Sequence, residues 1–369
     1  MMYSMRILAV TLLVIGPLTG KAGVPEGLRL PPGFSIEIIA DVPNARSMAL
    51  GDDGVLFVSS RFGGYVYAIS DYLGRQPAVF TLTEKLKLPN GVAFRNGDLY
   101  IAEPNRLLRL ADIQGRLESP GQFEVVAEDL RGIKLHSWKY IAFGPDDKLY
   151  MGIGAPCNVC DEPDYGLIMR MESDGSQREV VARGIRNTVG FDWQPGSQHL
   201  WFTDNNRDMM GDDEPPGELN RVAEEGRHFG FPFCHGADTV EPEAELAALG
   251  ECDEAEPPML ELPAHVAALG MVFYDGQMFP ARYHNQILIA EHGSWNRSEK
   301  IGYRVMLVSL DAAGEKVVGY EPLVEGWLDP EGNVTGRPVD VKVALDGSLL
   351  ISDDQEGRIY RVSYDAAKE

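Results

Sequence analysis

A two-part phrase recurs six times along the chain: a short apolar strand, a turn or insertion, and a second strand, generally of the form Leu-apolar-apolar-small. The six pairs are residues 47–50 with 55–59, 92–94 with 99–102, 140–143 with 149–152, 189–193 with 200–203, 271–274 with 287–290, and 339–343 with 349–352. A third strand that begins with glycine usually follows. All-β modules repeated about every 40–50 residues are typical of β-propellers. The sequence therefore predicts an all-β fold, a six-bladed β-propeller.

Propeller geometry predicts which distant residues meet. In each blade the first strand runs away from one mouth of the central channel and the second runs back, so residues before the first strand and after the second converge. The residues before the first strands are Arg46, Asn90, His136, Arg186, Asn187, His265 and Arg337. Those after the second strands are Arg61, Glu103, Gly154, Asp204, Asn205, Glu291, His292, Asp353 and Asp354. One mouth therefore collects histidines, arginines and carboxylates.

The N-terminal segment predicts export. Arg6 precedes an apolar run at residues 7–15, and small residues around Lys21 suit cleavage by a signal peptidase. We expect a signal peptide at residues 1–22 and a periplasmic or secreted protein. The apolar run is shorter than the about 20 residues that span a bilayer, so we expect no stable membrane insertion. An uncleaved N-terminal anchor is the alternative. No linker rich in Gly, Ser or Pro divides residues 23–369, which predicts one propeller domain.

The chain is strongly acidic, with a formal net charge of −23 that becomes −25 once Arg6 and Lys21 leave with the signal peptide. This charge excludes nucleic-acid binding through phosphate neutralisation and disfavours anionic membranes. Acidic side chains concentrate in an expected fifth-blade insertion at about 223–263, and no Lys or Arg lies between Arg227 and Arg282. The insertion is either a solvated loop or a docking patch for a basic electron acceptor, such as a cytochrome.

The four cysteines form two local sets, Cys157 with Cys160 and Cys234 with Cys252. In an oxidising compartment an even number of cysteines predicts disulfides. The Cys-x-x-Cys spacing of the first set is also a zinc-ligand spacing, although the second set lacks it. Covalent haem attachment is excluded because Asp161, not histidine, follows Cys160. No hydrolase elbow, P-loop, His-Glu-x-x-His motif or dinucleotide-binding fingerprint is present.

Phrases at the histidine-bearing mouth resemble a known family. They are LHSWKYIAFGPD at 135–146, GIRN at 184–187, PAH at 263–265, AEHGSWNRS at 290–298 and GRPVDV at 336–341. The chain from about residue 30 to 362 resembles the soluble quinoprotein sugar dehydrogenases, most closely their sorbosone dehydrogenase-like branch. The resemblance implies a six-bladed propeller that holds pyrroloquinoline quinone (PQQ) and calcium and oxidises an aldose or a sorbosone-like aldehyde sugar outside the cytoplasm.

The resemblance also implies roles for individual residues. His136 matches the catalytic base, which takes a hydroxyl proton while hydride leaves the same carbon for the quinone. Arg186 and Asn187 match a pair that contacts the quinone, with Arg186 stabilising the reduced oxygen, and Arg337 matches an arginine that binds a PQQ carboxylate. The other interpretation of each arginine is an ion pair with a carboxylate at the same mouth.

Calcium in the family is bound by main-chain carbonyls after the second strand of the fourth blade, which here implies Asn206 and Arg207. An ordinary Asn-rich turn is the alternative. The glucose-oxidising branch has a quinone-binding lysine in the fifth blade where this chain has Glu291, and Arg297 is the nearest cation. His265 fits the sorbosone-like phrase only. We therefore expect His265 and Arg297 to complete the cofactor site.

Two other function classes fit the same pattern. A calcium-dependent propeller lactonase would use residues such as Glu103, Asp204 and Asn187 to bind the metal and activate water. A non-catalytic propeller would use the mouth only to bind a sugar or peptide. A lactonase hydrolyses lactones without an electron acceptor, whereas the quinoprotein needs both PQQ and an acceptor.

Overall fold

The computed structural model describes residues 25–74, 76–132 and 135–368, so the expected signal peptide lies outside the described residues. The first strands are β1 (Phe34–Asp41), β2 (Ala45–Leu50), β3 (Leu56–Ser60), β4 (Tyr65–Ser70), β5 (Ala78–Thr81), β6 (Val92–Arg95), β7 (Asp98–Ala102), β8 (Leu107–Leu110), β9 (Glu124–Ala127), β10 (Ile141–Phe143), β11 (Leu149–Ile153), β12 (Leu167–Met171) and β13 (Glu179–Arg183). Antiparallel sheets β2-β3-β4-β5, β6-β7-β8-β9 and β10-β11-β12-β13 form blades one to three.

The second half of the chain supplies the other blades. Its elements are β14 (Phe191–Trp193), β15 (Leu200–Asp204), β16 (Gly217–Val222), β17 (Cys234–His235), β18 (Thr239–Val240), α1 (Ala244–Ala247), β19 (Leu260–Leu262), β20 (Ala268–Phe273), β21 (Ile287–Glu291), β22 (Arg304–Leu310), β23 (Val317–Val324), β24 (Pro338–Val343), β25 (Leu349–Asp353) and β26 (Arg358–Tyr364), with 3-10 helices at Cys252–Glu254, Ala281–Tyr283 and Ala366–Lys368. Sheets β14-β15-β16-β19, β20-β21-β22-β23 and β1-β26-β25-β24 are blades four to six. The six-bladed propeller predicted from the repeat is confirmed.

The N-terminal strand closes the ring. Strand β1 pairs antiparallel with β26, with Phe34 opposite Tyr364 and Asp41 opposite Arg358. It is therefore the outer strand of blade six, although it precedes blade one in sequence. This pairing joins the two ends of the described chain, so the last blade cannot form without residues from the N-terminal side.

Burial follows the position of a strand in its blade. Every residue of β3, β7 from Leu99 onward, β11, β15, β21 and β25 is buried. These second strands are covered on both faces by neighbouring blades, which explains their continuous apolar sequences. The outer strand β5, by contrast, has no buried residue.

The inner strands of neighbouring blades four, five and six pack so closely that there is no room for a side chain between their backbones. A Cβ atom on Gly190 would lie 2.1 Å from the carbonyl oxygen of Leu269 in the next blade. A Cβ on Gly270 would lie 2.6 Å from the Cα of Asp340 in the blade after that. Only glycine fits at these two points, and the close contact narrows the channel beneath the mouth.

A buried polar cluster crosses the channel. The Lys342 ammonium of blade six donates a hydrogen bond to the Tyr140 hydroxyl of blade three and lies 3.9 Å from an Asp340 carboxylate oxygen. Although burial opposes its charge, the neighbouring Asp340 and Tyr140 raise the pKa of Lys342. The ammonium therefore stays charged, and this cluster links blades on opposite sides of the ring.

The acidic insertion belongs to blade four, not to blade five as expected. Strand β19 pairs with β16 through Gly217 opposite Leu262, which makes residues 223–259 a loop between the third and fourth strands of one blade. Only three residues form β19, so its sequence carries little strand signal. The loop contains the β17-β18 hairpin and the four-residue helix α1.

Both predicted disulfides are present, Cys157 with Cys160 and Cys234 with Cys252. No cysteine of the described chain remains free, and the zinc alternative is therefore wrong. Across residues 25–74, 76–132 and 135–368, no helix is both long and apolar enough to cross a membrane.

Candidate functional site

A cavity of about 500 Å³ opens at the predicted mouth, and we call it the mouth cavity. Its lining comprises Arg46, Arg61, Leu135, His136, Trp138, Asn158, Arg186, Asn187, Asn205, Asp208, Met209, Ala267, Leu269, His292, Gly293, Trp295 and Arg337. No lining residue lies in the strands of the second blade, β6 to β9. Leu135, His136 and Trp138 lie in the segment between β9 and β10, and the other lining residues come from the remaining five blades. The repeat argument therefore located the cavity correctly.

His136 presents one free ring nitrogen in the mouth cavity. Its Nδ1–H donates to the Ala155 carbonyl oxygen at 2.8 Å, which assigns the proton to Nδ1 and leaves Nε2 as an acceptor. Burial, together with the nearby charge of Arg186, lowers the pKa of His136 to about 3. The imidazole is therefore neutral at physiological pH, the state in which it can accept a proton.

The guanidinium of Arg186 is held in one position. Its Nε and Nη2 donate to the main-chain and side-chain oxygens of Asn158, at 2.8 and 2.9 Å. Its Nη1 donates to the Asn205 carbonyl at 2.9 Å, and Nη2 also pairs with Asp208 at 2.9 Å. The side chain is 3 % exposed. A guanidinium held by four hydrogen bonds is a rigid positive charge beside His136.

Asn187, the next residue, has an unsatisfied polar atom. Its Oδ1 is buried and accepts no hydrogen bond from the described residues. Its backbone N–H donates to Asp204 at 2.6 Å, and the N–H of Arg186 donates to the same carboxylate at 2.8 Å. Burial raises the pKa of Asp204 to about 6. Asp204 thus orients the Arg186–Asn187 backbone. The buried Asn187 Oδ1 is able to accept a hydrogen bond from a donor group of a ligand.

Two further arginines of the mouth cavity have no ion-pair partner among the described residues. Arg337 donates to the carbonyl oxygens of His292 and Gly293, both at 3.2 Å. The Arg61 guanidinium lies between two aromatic rings, 4.2 Å from Phe62 and 4.5 Å from Trp138, and its Nε has no hydrogen-bond partner. Burial lowers the pKa of Arg61 to about 9, so it is still charged at neutral pH.

The remaining arginine is neutralised. Arg46 Nη1 lies 2.9 Å from Asp354, whose other oxygen accepts a hydrogen bond from His292 Nε2 at 2.9 Å. Burial lowers the pKa of His292 to about 4, so the ring is neutral. Asp208 pairs with Arg186 and Asp354 pairs with Arg46, which leaves Arg61 and Arg337 uncompensated by an ion pair among the described residues. Two guanidinium groups without an ion pair in one cavity favour an anionic ligand with several acidic groups.

The structure brings His136, Arg186, Asn187 and Arg337 together, as predicted, but places His265 and Arg297 outside the lining. His265 Nε2–H donates to the Gly211 carbonyl at 2.8 Å. The Arg297 guanidinium donates to the Asp212 carbonyl and pairs with the Asp213 carboxylate at 3.1 Å. Both side chains bind the 211–213 loop at the edge of the mouth. The sequence did not indicate that this loop lies close enough to bind them. The structure thus offers neither side chain to a ligand in the mouth cavity.

Asn206 and Arg207, the expected calcium segment, are both buried. Their side chains bind elsewhere: Asn206 donates to Glu218 at 2.7 Å, and Arg207 pairs with Glu241. No described residue donates a hydrogen bond to either carbonyl oxygen. Carbonyl oxygens that accept no hydrogen bond suit a cation that prefers oxygen ligands. The described residues contain no group of three or more His, Cys, Asp or Glu side chains placed to hold a metal.

The sequence argument missed several lining residues. Trp138 lies inside one of the quoted phrases, and Trp295 inside another, but neither precedes nor follows an inner strand directly. Trp295 and Met209 are 66 % and 69 % exposed at the rim. The position of Asn158 between Cys157 and Cys160 was a signal in the sequence, because a disulfide there would hold the residue in place. Asp208 carried no signal in the sequence, because loop length decides where it lies.

Comparison with known proteins agrees with this fold. Residues 169–365 match the family model described as TrAA12-like. The chain is 31% identical to an uncharacterized protein of Borreliella burgdorferi, over 97% of both proteins. It is 25% identical to the aldose sugar dehydrogenase YliI of Escherichia coli over 200 residues, covering 52% of this chain and 46% of that protein.

Among solved structures, the PQQ domain of pyranose dehydrogenase from Coprinopsis cinerea superposes with a TM-score of 0.78 at 17% identity, covering 92% of this chain and 98% of that one. This similarity shows the shared propeller fold. The family match covers more than half of the 369-residue chain. The chain therefore belongs to the TrAA12-like family, which confirms the resemblance to the quinoprotein sugar dehydrogenases.

Proposed function

We propose that this protein is a quinoprotein oxidoreductase that oxidises an aldose or a sorbosone-like aldehyde sugar, with PQQ bound in the mouth cavity. The observation that carries the proposal is the pair of uncompensated guanidinium groups, Arg61 and Arg337, in that cavity. PQQ bears three carboxylates, and arginine binds carboxylates through paired hydrogen bonds. The names of two similar proteins, an aldose sugar dehydrogenase and the PQQ domain of a pyranose dehydrogenase, support the same chemistry.

His136 is the proposed general base. It is neutral, its Nδ1–H is held by the Ala155 carbonyl, and Nε2 is left to accept the hydroxyl proton of the sugar. The bound quinone would supply the two-electron acceptor for the hydride that leaves the same carbon. Removing the proton as hydride departs avoids a cationic intermediate, and a positioned base contributes about 10²–10⁴-fold to such a rate.

Arg186 is proposed to donate hydrogen bonds to cofactor oxygens, and Asn187 Oδ1 to accept one from a donor group of the cofactor. The fixed Arg186 charge would stabilise the negative charge that develops on a quinone oxygen on reduction, and preorganised donors are more effective than mobile ones. Asn187 Oδ1, buried and without a donor, is free for a polar group of the ligand. The donor set and the orphaned acceptor together fit a quinone that is both acidic and polar.

Calcium is proposed to bind the Asn206 and Arg207 carbonyl oxygens. Both residues are buried, and no described residue donates a hydrogen bond to those oxygens. An oxygen-ligated cation there would polarise a neighbouring carbonyl as a Lewis acid. The side chains of the two residues would remain in their present hydrogen bonds, because the expected ligands are main-chain atoms.

The proposed location is periplasmic or extracellular. Two disulfides support an oxidising compartment, since such bonds are rare in a reducing cytosol. The electron acceptor is proposed to be basic, because the chain carries a net charge of −23 and would attract a cationic carrier.

A direct assay compares three substrate sets on purified protein loaded with PQQ and calcium: aldoses, ketoses and sugar lactones, with a reducible dye as the acceptor. We expect dye reduction with aldoses that requires PQQ, and a large loss of rate in His136→Ala.

Lactone hydrolysis without dye would instead support the lactonase. Of the three metal ligands that a lactonase would use, Asn187 lines the mouth cavity but Glu103 and Asp204 do not. Glu103 instead accepts hydrogen bonds from Arg106 and from the Lys87 N–H. Sugar binding without turnover at saturating PQQ would support the non-catalytic module.

A further inference from the structure

The loop that follows β11 contacts both central residues of the proposed site. Ala155, two residues after the strand, accepts the His136 Nδ1–H at 2.8 Å. The Ala155 N–H donates to the Arg186 carbonyl at 2.7 Å. One residue of this loop therefore fixes the proton position on the base and the backbone that carries the cation.

Asn158, three residues further on, holds the Arg186 side chain. Its carbonyl accepts from Nε at 2.8 Å, and its Oδ1 accepts from Nη2 at 2.9 Å. The same Oδ1 accepts the Asp208 N–H at 2.8 Å, and Asn158 Nδ2 donates to the Asp208 carbonyl at 3.0 Å. Asp208 in turn pairs with Arg186 at 2.9 Å. Asn158 thus connects the guanidinium to its only ion-pair partner among the described residues.

A disulfide closes the chain around this asparagine. Cys157 and Cys160 are three residues apart and bonded, so Asn158 lies inside a four-residue ring. The surrounding segment, residues 154–166, contains no regular strand or helix. Without a cross-link, such a segment samples many backbone conformations, and few of them present two oxygens to one guanidinium. The bond therefore removes conformations in which Asn158 cannot hold Arg186.

We propose that Asn158, held by the Cys157–Cys160 disulfide, is the positioning residue for Arg186 in the mouth cavity. The proposal rests on the proposed function for its effect on turnover, but its structural part concerns the cofactor-free protein alone. Arginine side chains are flexible, and a small displacement of a charge beside the reacting atoms can cost about 100-fold in rate. Asn158 lines the mouth cavity, and its hydrogen bonds go to Arg186 and Asp208 rather than to the proposed base.

The first test uses the protein without cofactor. The exchange of the Arg186 Nε–H with solvent is followed by NMR on ¹⁵N-arginine-labelled protein, with the signal assigned from Arg186→Lys. We expect exchange that is faster on the order of tenfold in Cys157→Ala/Cys160→Ala, because the hydrogen bond to the Asn158 carbonyl is no longer maintained. Val159→Ala, inside the same ring, removes no hydrogen bond found in the structure and serves as the matched control.

The second test measures turnover and cofactor affinity in Asn158→Ala. The substitution removes all three side-chain hydrogen bonds of Asn158, one to Arg186 and two to the Asp208 backbone, while the main-chain carbonyl remains. We therefore expect kcat to fall by about 10- to 100-fold with a smaller change in the KM for sugar. Circular dichroism and the melting temperature identify variants that have simply lost their fold. Asn158→Asp keeps the acceptor oxygen for Arg186 and should recover part of the rate.

The outcomes separate the two claims. Unchanged Arg186 exchange in the double cysteine variant overturns the positioning role, whether or not the protein turns over sugar. Altered exchange with no PQQ-dependent activity in the parent protein supports the positioning role and removes the proposed function. Normal kcat in a folded Asn158→Ala variant of an active enzyme also overturns the proposal.

Discussion

Replacing Arg61 with methionine should weaken PQQ binding by about 100-fold. Arg61 has no ion-pair partner among the described residues, so the substitution breaks no internal pair. Its guanidinium carbon lies 4.2 Å from the Phe62 ring and 4.5 Å from the Trp138 ring, and a methionine can occupy the same space and contact both rings. The fold should therefore be retained while one positive charge is removed.

The magnitude follows from the charge and its burial. A carboxylate about 4 Å from a guanidinium gains roughly 4 kcal/mol at an effective dielectric constant of about 20. Partial loss of hydration on both groups offsets some of this gain, and about 2–3 kcal/mol is expected to remain. A value of 2.7 kcal/mol corresponds to about 100-fold in Kd.

The affinity can be measured by quenching of tryptophan fluorescence, because Trp138 and Trp295 line the mouth cavity. Arg282→Met is the matched control: Arg282 also lies over an aromatic ring, 4.6 Å from Tyr283, but does not line the mouth cavity. The measured Kd should also rise with salt in the parent protein more steeply than in the Arg61 variant. A Kd within threefold of the parent value in a folded Arg61→Met protein would refute the electrostatic argument.

Three further predictions concern catalysis and stability. Because burial and Arg186 lower the pKa of His136 to about 3 and its neutral form is the base, kcat/KM should persist as pH falls through 6.5 and decline only toward that lower value; a pH profile with an acid limb near 6.5 would contradict this. Gly190→Ala should destabilise the fold by about 3 kcal/mol in urea unfolding, because its Cβ would lie 2.1 Å from the Leu269 carbonyl; an unchanged midpoint would show that the strands separate easily. Removing the Cys234–Cys252 bond, which joins residues 18 apart, should cost about 3 kcal/mol, and a melting temperature equal to that of the parent would refute this.

The propeller could be predicted because the buried strands of each blade have a repeated sequence. Second strands such as Leu149–Ile153 are buried along their whole length, so their apolar runs are required by packing on both faces. The outer strands are different: Ala78–Thr81 has no buried residue, and Leu260–Leu262 has only three residues. Their composition is not constrained by a core, which is why the sequence did not show them and why the acidic insertion was placed in the wrong blade.

The candidate site was predictable where it depends on topology. Arg337 directly precedes an inner strand and His136 lies in the segment that leads into another, so strand direction brings both to one mouth. His265 also precedes an inner strand, yet its ring turns to the Gly211 carbonyl, a contact set by the path of a long loop. Asn158 and Asp208 lie in irregular loops, and no periodic pattern indicates where such side chains meet.

A crystal structure of the protein loaded with PQQ tests the central claim most directly. The account predicts electron density for the quinone in the mouth cavity, with its carboxylates at Arg61 and Arg337 and His136 Nε2 facing the open side of the ring. When sugar is also bound, His136 Nε2 should lie about 3 Å from the hydroxyl oxygen on the carbon that is oxidised. Quinone density at any other place, or an empty mouth cavity at saturating PQQ, would contradict the account.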